Sequence, residues 1–458
     1  MYEHQHRLFG TNGIRGIFGK EITFDLIIDL SYAISTYFEK GPIVVGHDGR
    51  SSSPVLSKLV RSTFNSAGLD VGNVKLIPTP CLQYAAKHLG YNGGIMITAS
   101  HNPPEYNGIK AIANDGVEIS REDELKIESI YYSKKYAKTD GFGRDCFDGS
   151  VIDSYIEAVL QLIDVQKIRS CEFKVVIDIG NGAQAAVAPL LVQKLGCKAI
   201  IINGSIDGSF PGRGPEPTPE NLQVLANMVR DTEYDIGVAF DGDGDRSIFC
   251  DEKGTVHWGD KTGTLLVKHL LKNKHKGAEI ICPINTTMAL SLVAQEEGSK
   301  LTYTKVGSVE VSREMVMRKS YIGLEENGGF MYGKLNEVRD GIMTTALVLD
   351  MLASNKERFS QLISSLPQIF QYKSKFKCPT KQIADEIVNA CLKHGSPQKV
   401  ETIDGAKIWI DEETWILVRP SGTEPLIRMY AESTDKSLLN SKVGEYSTLI
   451  KSKINDRI

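Results

Sequence analysis

Three aspartates separated by single glycines, Asp241-Gly242-Asp243-Gly244-Asp245, are followed directly by Arg246. The glycines let the backbone curl until the carboxylates converge. Unit charges about 5 Å apart repel by about 3 kcal/mol at an effective dielectric near 20, so three such pairs cost roughly 10 kcal/mol without a cation. A convergent triad therefore points to a hard divalent ion, and oxygen ligands favour Mg2+ or Ca2+. A calcium-binding loop would use Glu252 at its twelfth position, but its sixth requires glycine and here holds Arg246. A magnesium site for phosphoryl transfer fits better than that loop or a solvated acidic turn.

A second reactive stretch is Ile97-Thr98-Ala99-Ser100-His101-Asn102-Pro103-Pro104-Glu105-Tyr106-Asn107-Gly108-Ile109-Lys110. It follows the apolar run Gly94–Ile97, which reads as a buried strand, and the Pro-Pro pair stops helix and ladder alike. Ser100 is thus expected where a parallel strand empties into a loop, the place where open α/β sheets put their chemistry. In an extended chain His101 would point away from Ser100, so it is not an obvious activating base. The Gly-x-Ser-x-Gly elbow of hydrolases is missing.

Three further loops are chemically suggestive only in combination. Gly10–Gly16 is a glycine-rich turn carrying Arg15. Gly323-Leu324-Glu325-Glu326-Asn327-Gly328-Gly329 offers carboxylates and an amide suited to paired hydroxyls of a polyol. Arg419-Pro420-Ser421-Gly422-Thr423-Glu424-Pro425 combines a guanidinium, hydroxyls and a glycine-permitted nest of amides, an anion cradle best suited to phosphate. Each alone is equally an ordinary polar turn. Together they describe a two-ended ligand, polyol in the middle, phosphate at one end and a metal-bound serine at the other.

The elements that must carry these loops recur in three rounds. Strands are expected at 43–46, 71–77 and 94–97, at 174–179, 199–203 and 236–240, and at 279–282, 301–305 and 321–324, with helices between them. Strand–helix alternation predicts parallel-rich sheets, and three rounds predict three related domains. Beyond about residue 366 the pattern changes: a strand at 372–378, a helix near 382–393, a hairpin of 406–410 with 414–419, a strand at 426–431 and a closing helix at 438–454. The expected fold is α/β: three related mixed, parallel-rich α/β domains plus a smaller C-terminal α+β domain around a central cleft. The expected boundaries are 1–150 (serine loop), 151–255 (metal loop), 256–367 (sugar loop) and 368–458 (phosphate loop).

Length and composition agree. A chain of 458 residues exceeds a single core, and 41% hydrophobic with 24% charged residues is the balance of a globular protein. A formal charge of −4 argues against a nucleic-acid partner. No apolar run approaches the ~20 residues of a membrane helix, and the start of the chain has no signal-peptide pattern. The 8 cysteines are scattered without a Cys-x-x-Cys pair, as expected for free thiols in a reducing cytoplasm.

In order along nearly the whole chain, these motifs resemble the α-D-phosphohexomutase superfamily. The similarity is to its phosphomannomutase/phosphoglucomutase and phosphoglucosamine mutase branches. The resemblance implies a four-domain enzyme that keeps a phosphate on Ser100 and binds Mg2+ through it and Asp241, Asp243 and Asp245. It implies an acid/base role for Lys110, with Arg15 and Arg246 flanking the phosphoryl group. Glu325 and Asn327 would take sugar hydroxyls, and Arg419, Ser421, Gly422 and Thr423 the non-reacting phosphate. Lys305, Gly307 and Arg428 complete the expected substrate-binding set.

The implied reaction interconverts the 1- and 6-phosphates of mannose or glucose through a hexose 1,6-bisphosphate intermediate and activator. Glucosamine phosphates are the alternative substrates, and a sugar phosphatase or a sugar-phosphate binding protein are the rivals. A monomer or homodimer is expected. Many relatives end the sugar loop in Glu-x-Ser-Gly-His, whereas Asn327 and Gly329 stand at the serine and histidine positions. The second acid/base group is therefore unassigned, with His101 and Lys305 as candidates.

Overall fold

A computed structural model describes residues 8–10, 12–421 and 425–455. The first sheet has six strands in the order Ile14–Ile17, Tyr106–Ala113, Gly93–Ile97, Ile43–His47, Val71–Leu76 and Asp145–Phe147. The second runs Val256–His257, Ser247–Asp251, Ile236–Phe240, Lys174–Asp178 and Lys198–Ile202. The third runs Leu301–Thr304, Ile280–Pro283, Ile322–Leu324, Phe330–Tyr332 and Asn336–Arg339.

All three sheets share one plan. The first strand of each round lies between the second and the third, and these three are parallel. After the third strand the chain turns back, and a strand returns antiparallel beside it. Mixed sheets are expected from the sequence, but no strand is assigned there to Tyr106–Ala113 or Ser247–Asp251. Their burial on both faces removes the alternation that would mark them.

The plan explains the loop positions. Thr98–Glu105, Asp241–Arg246 and Glu325–Gly329 each connect the third parallel strand of a sheet to its antiparallel return. The three chemical loops are topological equivalents, presented at the carboxyl ends of parallel strands.

One apolar core runs continuously through the three sheets, joining Val44 and Met96, Tyr155, Val175 and Phe240, and Leu266, Ile280 and Ile322. A separate core under the first sheet gathers Ile27, Leu30, Val60 and Phe64. Helices start where the sequence supplies caps: Thr23 accepts from the Leu26 N–H, and Asp340 from the Met343 N–H.

The last sheet is wholly antiparallel, in the order Phe370–Lys377, Leu426–Ser433, Thr414–Pro420, Ala406–Trp409 and Lys399–Glu401. It is backed by the helices Lys381–Leu392 and Lys436–Asn455 over its own core. Trp415, Leu417 and Tyr430 on its other face pack on Ile284 and Met288 of the third unit. Among the described residues no helix is long and apolar enough to cross a membrane.

Candidate active site

Ser100 is fully buried, with φ 51°. A non-glycine residue in that region costs about 1–2 kcal/mol, and the surroundings must hold it there. Arg50 does so from a wholly buried position. Its guanidinium donates to the carbonyls of Ser100 (2.7 Å), Asn102 (2.6 Å), Pro103 (2.6 Å) and Tyr106 (3.0 Å). Asp48 holds Arg50 in turn, accepting from its Nε at 3.1 Å while also accepting from Thr98 Oγ1 at 2.7 Å.

The same backbone turn corrects the reading of His101. Because the chain at Ser100 is not extended, the imidazole Nδ1 lies 3.3 Å from Ser100 Oγ. The Ser100 hydroxyl also donates to Asp241 Oδ2 at 2.9 Å. Burial, then Arg246, Arg15 and Arg339, keep His101 well below the usual imidazole range. Arg15 sits on an edge strand, not in a turn, and its Nη1 donates to Asn102 Oδ1 at 3.1 Å and Ala99 O at 3.4 Å.

The aspartates converge as their spacing predicts, with candidate ligand oxygens within 4.8 Å of one another and all three side chains buried. Both glycines are required. A Cβ at Gly242 would meet the Ser100 carbonyl at 2.5 Å, and Gly244 has φ +75°. The neutralising charge does not have to come entirely from a metal. Lys110 Nζ donates to Asp243 Oδ2 at 2.8 Å and to Asp245 Oδ2 at 3.4 Å, and Arg339 also pairs with Asp245 Oδ2. The unpaired repulsion inferred from sequence is thus an upper bound, since the fold brings two cations from outside the loop.

Two oxygens remain. Asp243 Oδ1 and Asp245 Oδ1 are buried without a hydrogen-bond partner among the described residues. With Asp241 Oδ2 and Ser100 Oγ they form an all-oxygen donor set that fits a hard divalent cation. The electrostatics are asymmetric. Burial, Asp245 and Asp243 push Asp241 up to about 8. Burial would raise Asp243 as well, but Lys110 and the Thr79 hydroxyl at 2.6 Å outweigh it and hold that group far below the carboxylate range. Arg246 stands at the rim, its Nε 4.0 Å from Asp241 and 3.9 Å from Asp245.

The third loop joins this centre through Arg339, whose Nη1 donates to Glu325 Oε2 at 3.2 Å. Glu325 is buried, and that burial raises its pKa. Asn327 turns back on its own loop, Oδ1 accepting from the Gly329 N–H at 3.2 Å.

The remaining expected residues lie at another place. Lys305 is exposed after the strand Leu301–Thr304, and Gly307 precedes the helix Ser308–Arg318. Among the described residues no hydrogen bond or ion pair joins Lys305 to the serine loop. Asp404 links this turn to the last sheet, accepting from the Val306 N–H at 3.0 Å and from Arg419 Nη2 at 2.8 Å. Arg428 pairs in register with Arg419 on the neighbouring strand, and Ser421 donates its N–H to Leu426 O at 2.8 Å. Gly422 and Thr423 lie outside the described residues. The geometry therefore gathers Ser100 with the aspartates, Lys110 and Arg339, and places Arg419 and Arg428 together on the last sheet.

Asp48, Arg50, Thr79 and Arg339 were not found from sequence. Gly46-His47-Asp48-Gly49-Arg50, a polar turn at a strand end, carried a readable signal for the first two. Thr79 and Arg339 carried none, because their partners lie 164 and 94 residues away.

Comparison with known proteins covers nearly the whole chain. Models of phosphoglucomutase/phosphomannomutase match in order: alpha/beta/alpha domain I over residues 6–138, domain II over 153–254, domain III over 258–370 and the C-terminal domain over 374–444. A phosphoglucosamine/phosphogalactosamine mutase of Sulfurisphaera tokodaii is 40% identical, over 98% of this chain and 100% of the relative. A phosphoglucomutase/phosphomannomutase of Thermococcus kodakarensis is 38% identical, over 97% of each chain. The crystal structure of a phosphoglucomutase/phosphomannomutase family protein from Burkholderia thailandensis superimposes with a TM-score of 0.88 at 27% identity, over 98% of this chain and 97% of that one. With this architecture and these matches, the chain belongs to the phosphoglucomutase/phosphomannomutase family and is a phosphohexomutase, an intramolecular phosphotransferase.

Proposed function

We propose that the enzyme interconverts the 1- and 6-phosphates of glucose and mannose by relaying a phosphoryl group through Ser100 Oγ. The observation that carries this reading is the buried serine hydroxyl 2.9 Å from Asp241 Oδ2, beside two orphaned carboxylate oxygens. In the first transfer the Oγ–P bond of phosphoserine breaks as the free hydroxyl oxygen of the hexose phosphate bonds to phosphorus. The hydroxyl proton passes to a base of the site, and the product is a hexose 1,6-bisphosphate. The bisphosphate turns end for end, and Ser100 takes back the other phosphate.

Lys110, held by Asp243 and Asp245, is the ammonium that can protonate the serine oxygen as it leaves. Arg15 and Arg246 supply positive charge around the equatorial oxygens. Ser100, Asp241, Asp243 and Asp245 would hold Mg2+, which when bound neutralises phosphoryl charge. Glu325 and Asn327 receive sugar hydroxyls, while Arg419, Ser421, Gly422, Thr423 and Arg428, with the Lys305–Gly307 turn, bind the phosphate that does not react.

A second reading, hexosamine phosphates as substrates, is favoured by the name of the 40% identical relative. The test is a coupled assay on glucose, mannose and glucosamine 1-phosphates with Mg2+ and the matching 1,6-bisphosphate. The proposal expects isomer formation to exceed phosphate release, and expects turnover to vanish in Ser100→Ala with the fold kept. Wild-type turnover in that variant would refute the relay. Faster release of phosphate than of isomer would identify a phosphatase, and a preference for the glucosamine substrate would select the second reading.

A further inference from the structure

At Gly329 the space that any side chain would need is already filled. A Cβ at Gly329 would meet Arg339 Cδ at 2.3 Å and Cγ at 2.8 Å. These are inner atoms of the arginine stem, whose far end is pinned, so the clash cannot be relieved by a small swing. The guanidinium bridges two loops from two different sheets, donating to Asp245 of the aspartate loop and, at 3.2 Å, to Glu325 of the sugar loop. Arg339 itself is only 5% exposed.

We infer that Arg339 is a positioning residue that replaces a side chain at position 329 and yokes the phosphoryl-transfer loop to the hydroxyl-binding loop. Three physical points carry this. A planar fork reaching two carboxylates fixes both in distance and angle, which an ammonium cannot do. Asp245 Oδ2 is engaged by Arg339 and Lys110, which fixes the carboxylate whose Oδ1 is left buried without a hydrogen-bond partner. Glu325, anchored on one oxygen, leaves its other oxygen to the substrate, so sugar and phosphoryl centre are held in one frame for both halves of the reaction. The residue at 329 then takes no part in proton transfer; it is glycine because Arg339 needs the room. This inference rests on the phosphoserine relay only for its kinetic consequence, and the packing half stands without it.

Two measurements test it. The first is a double-mutant cycle in thermal unfolding of the full chain with Gly329→Ala, Arg339→Ala and the pair. Gly329→Ala is expected to lower Tm clearly in the wild-type background and to have almost no effect once Arg339 is alanine. Additive losses would overturn the shared-space half. The second measurement uses Arg339→Lys, which keeps charge and stem but loses the fork, and it decides the functional half whether or not Arg339→Ala folds. Outer-shell partners of a site typically contribute about 10–100-fold. Arg339→Lys is therefore expected to keep a Tm within a few degrees of wild type while kcat on a hexose 1-phosphate drops about 10-fold or more. Wild-type kcat and KM in Arg339→Lys would overturn the yoke. Should wild-type enzyme itself fail to isomerise any hexose phosphate, the relay falls, and the unfolding cycle still decides the packing claim.

Discussion

Lys110→Met tests how the aspartate triad is neutralised. The lysine ammonium is fully buried, 2.8 Å from Asp243 and 3.4 Å from Asp245, and neither carboxylate is more than 2% exposed. Methionine keeps the length of the stem but leaves Asp243 facing Asp245 with only the Thr79 hydroxyl on its inner oxygen. Removing one member of a buried pair costs about 3–5 kcal/mol, because the other charge remains desolvated. At about 2–4 °C per kcal/mol for a large cooperative unit, Tm should fall by about 6–20 °C in metal-free buffer. A cation bound by the triad occupies the same field. Mg2+ at about 100 times its Kd stabilises a binding-competent protein by ~2.7 kcal/mol. The variant should gain more than wild type, since a like charge beside the metal has gone. Scanning calorimetry with and without Mg2+ measures both deficits, and the gap between variant and wild type should shrink by about half when Mg2+ is present. An equal gap in both buffers, or a loss under about 1 kcal/mol in metal-free buffer, would refute the view that Lys110 and a metal share the work of neutralising the triad.

Asp243→Asn should flatten the dependence of turnover on Mg2+, and an unchanged Mg2+ titration would remove Asp243 from the metal set. Arg50→Met should cost roughly 3–5 kcal/mol in denaturant unfolding, since Asp48 loses its buried partner and four carbonyls lose their donor, with Arg50→Lys recovering part. A neutral effect would show that Arg50 does not hold the serine loop. Asp340, at the start of the helix Gly341–Asn355, is pushed up to about 6 by burial, against the opposing hydrogen bonds from Met343 N–H and the Tyr155 hydroxyl. Its folded pKa exceeds the unfolded value near 3.9, so its contribution to stability is greatest at low pH and is lost as pH rises from about 4 to about 6. Asp340→Asn keeps an acceptor for both donors and should remove that part of the slope of Tm against pH. An identical slope in the variant would assign the titration elsewhere.

Much of the site was legible in the primary structure because its chemistry is local. Asp-Gly-Asp-Gly-Asp converges through glycine torsions available to that segment alone, and the Pro-Pro pair ends the strand before Ser100 wherever that strand lies. The threefold strand–helix rhythm, the hairpin of the last domain and the place of each loop at a strand end follow from periodicity and breakers. The return strands Tyr106–Ala113 and Ser247–Asp251 show no alternation because both faces are buried, and edge strands such as Asp145–Phe147 and Lys399–Glu401 are too short and exposed to carry a pattern. His101 comes beside Ser100 because the chain there turns left-handed instead of running extended.

Sequence alone determined which groups are available: a serine, three carboxylates, a polar loop of glutamates and an asparagine, and a basic loop. Tertiary structure decided how they are charged and aimed. Ser100 meets Asp241 across 141 residues, Lys110 meets Asp243 across 133, and Arg339 meets Asp245 across 94. No window of sequence contains such a pair. Only the common plan of the three sheets, which sets equivalent loops facing one another, brings the cations into contact with the anions. The charge of the triad, the left-handed turn at Ser100 and the need for glycine at position 329 all come from that packing, because each depends on an atom contributed by a distant strand.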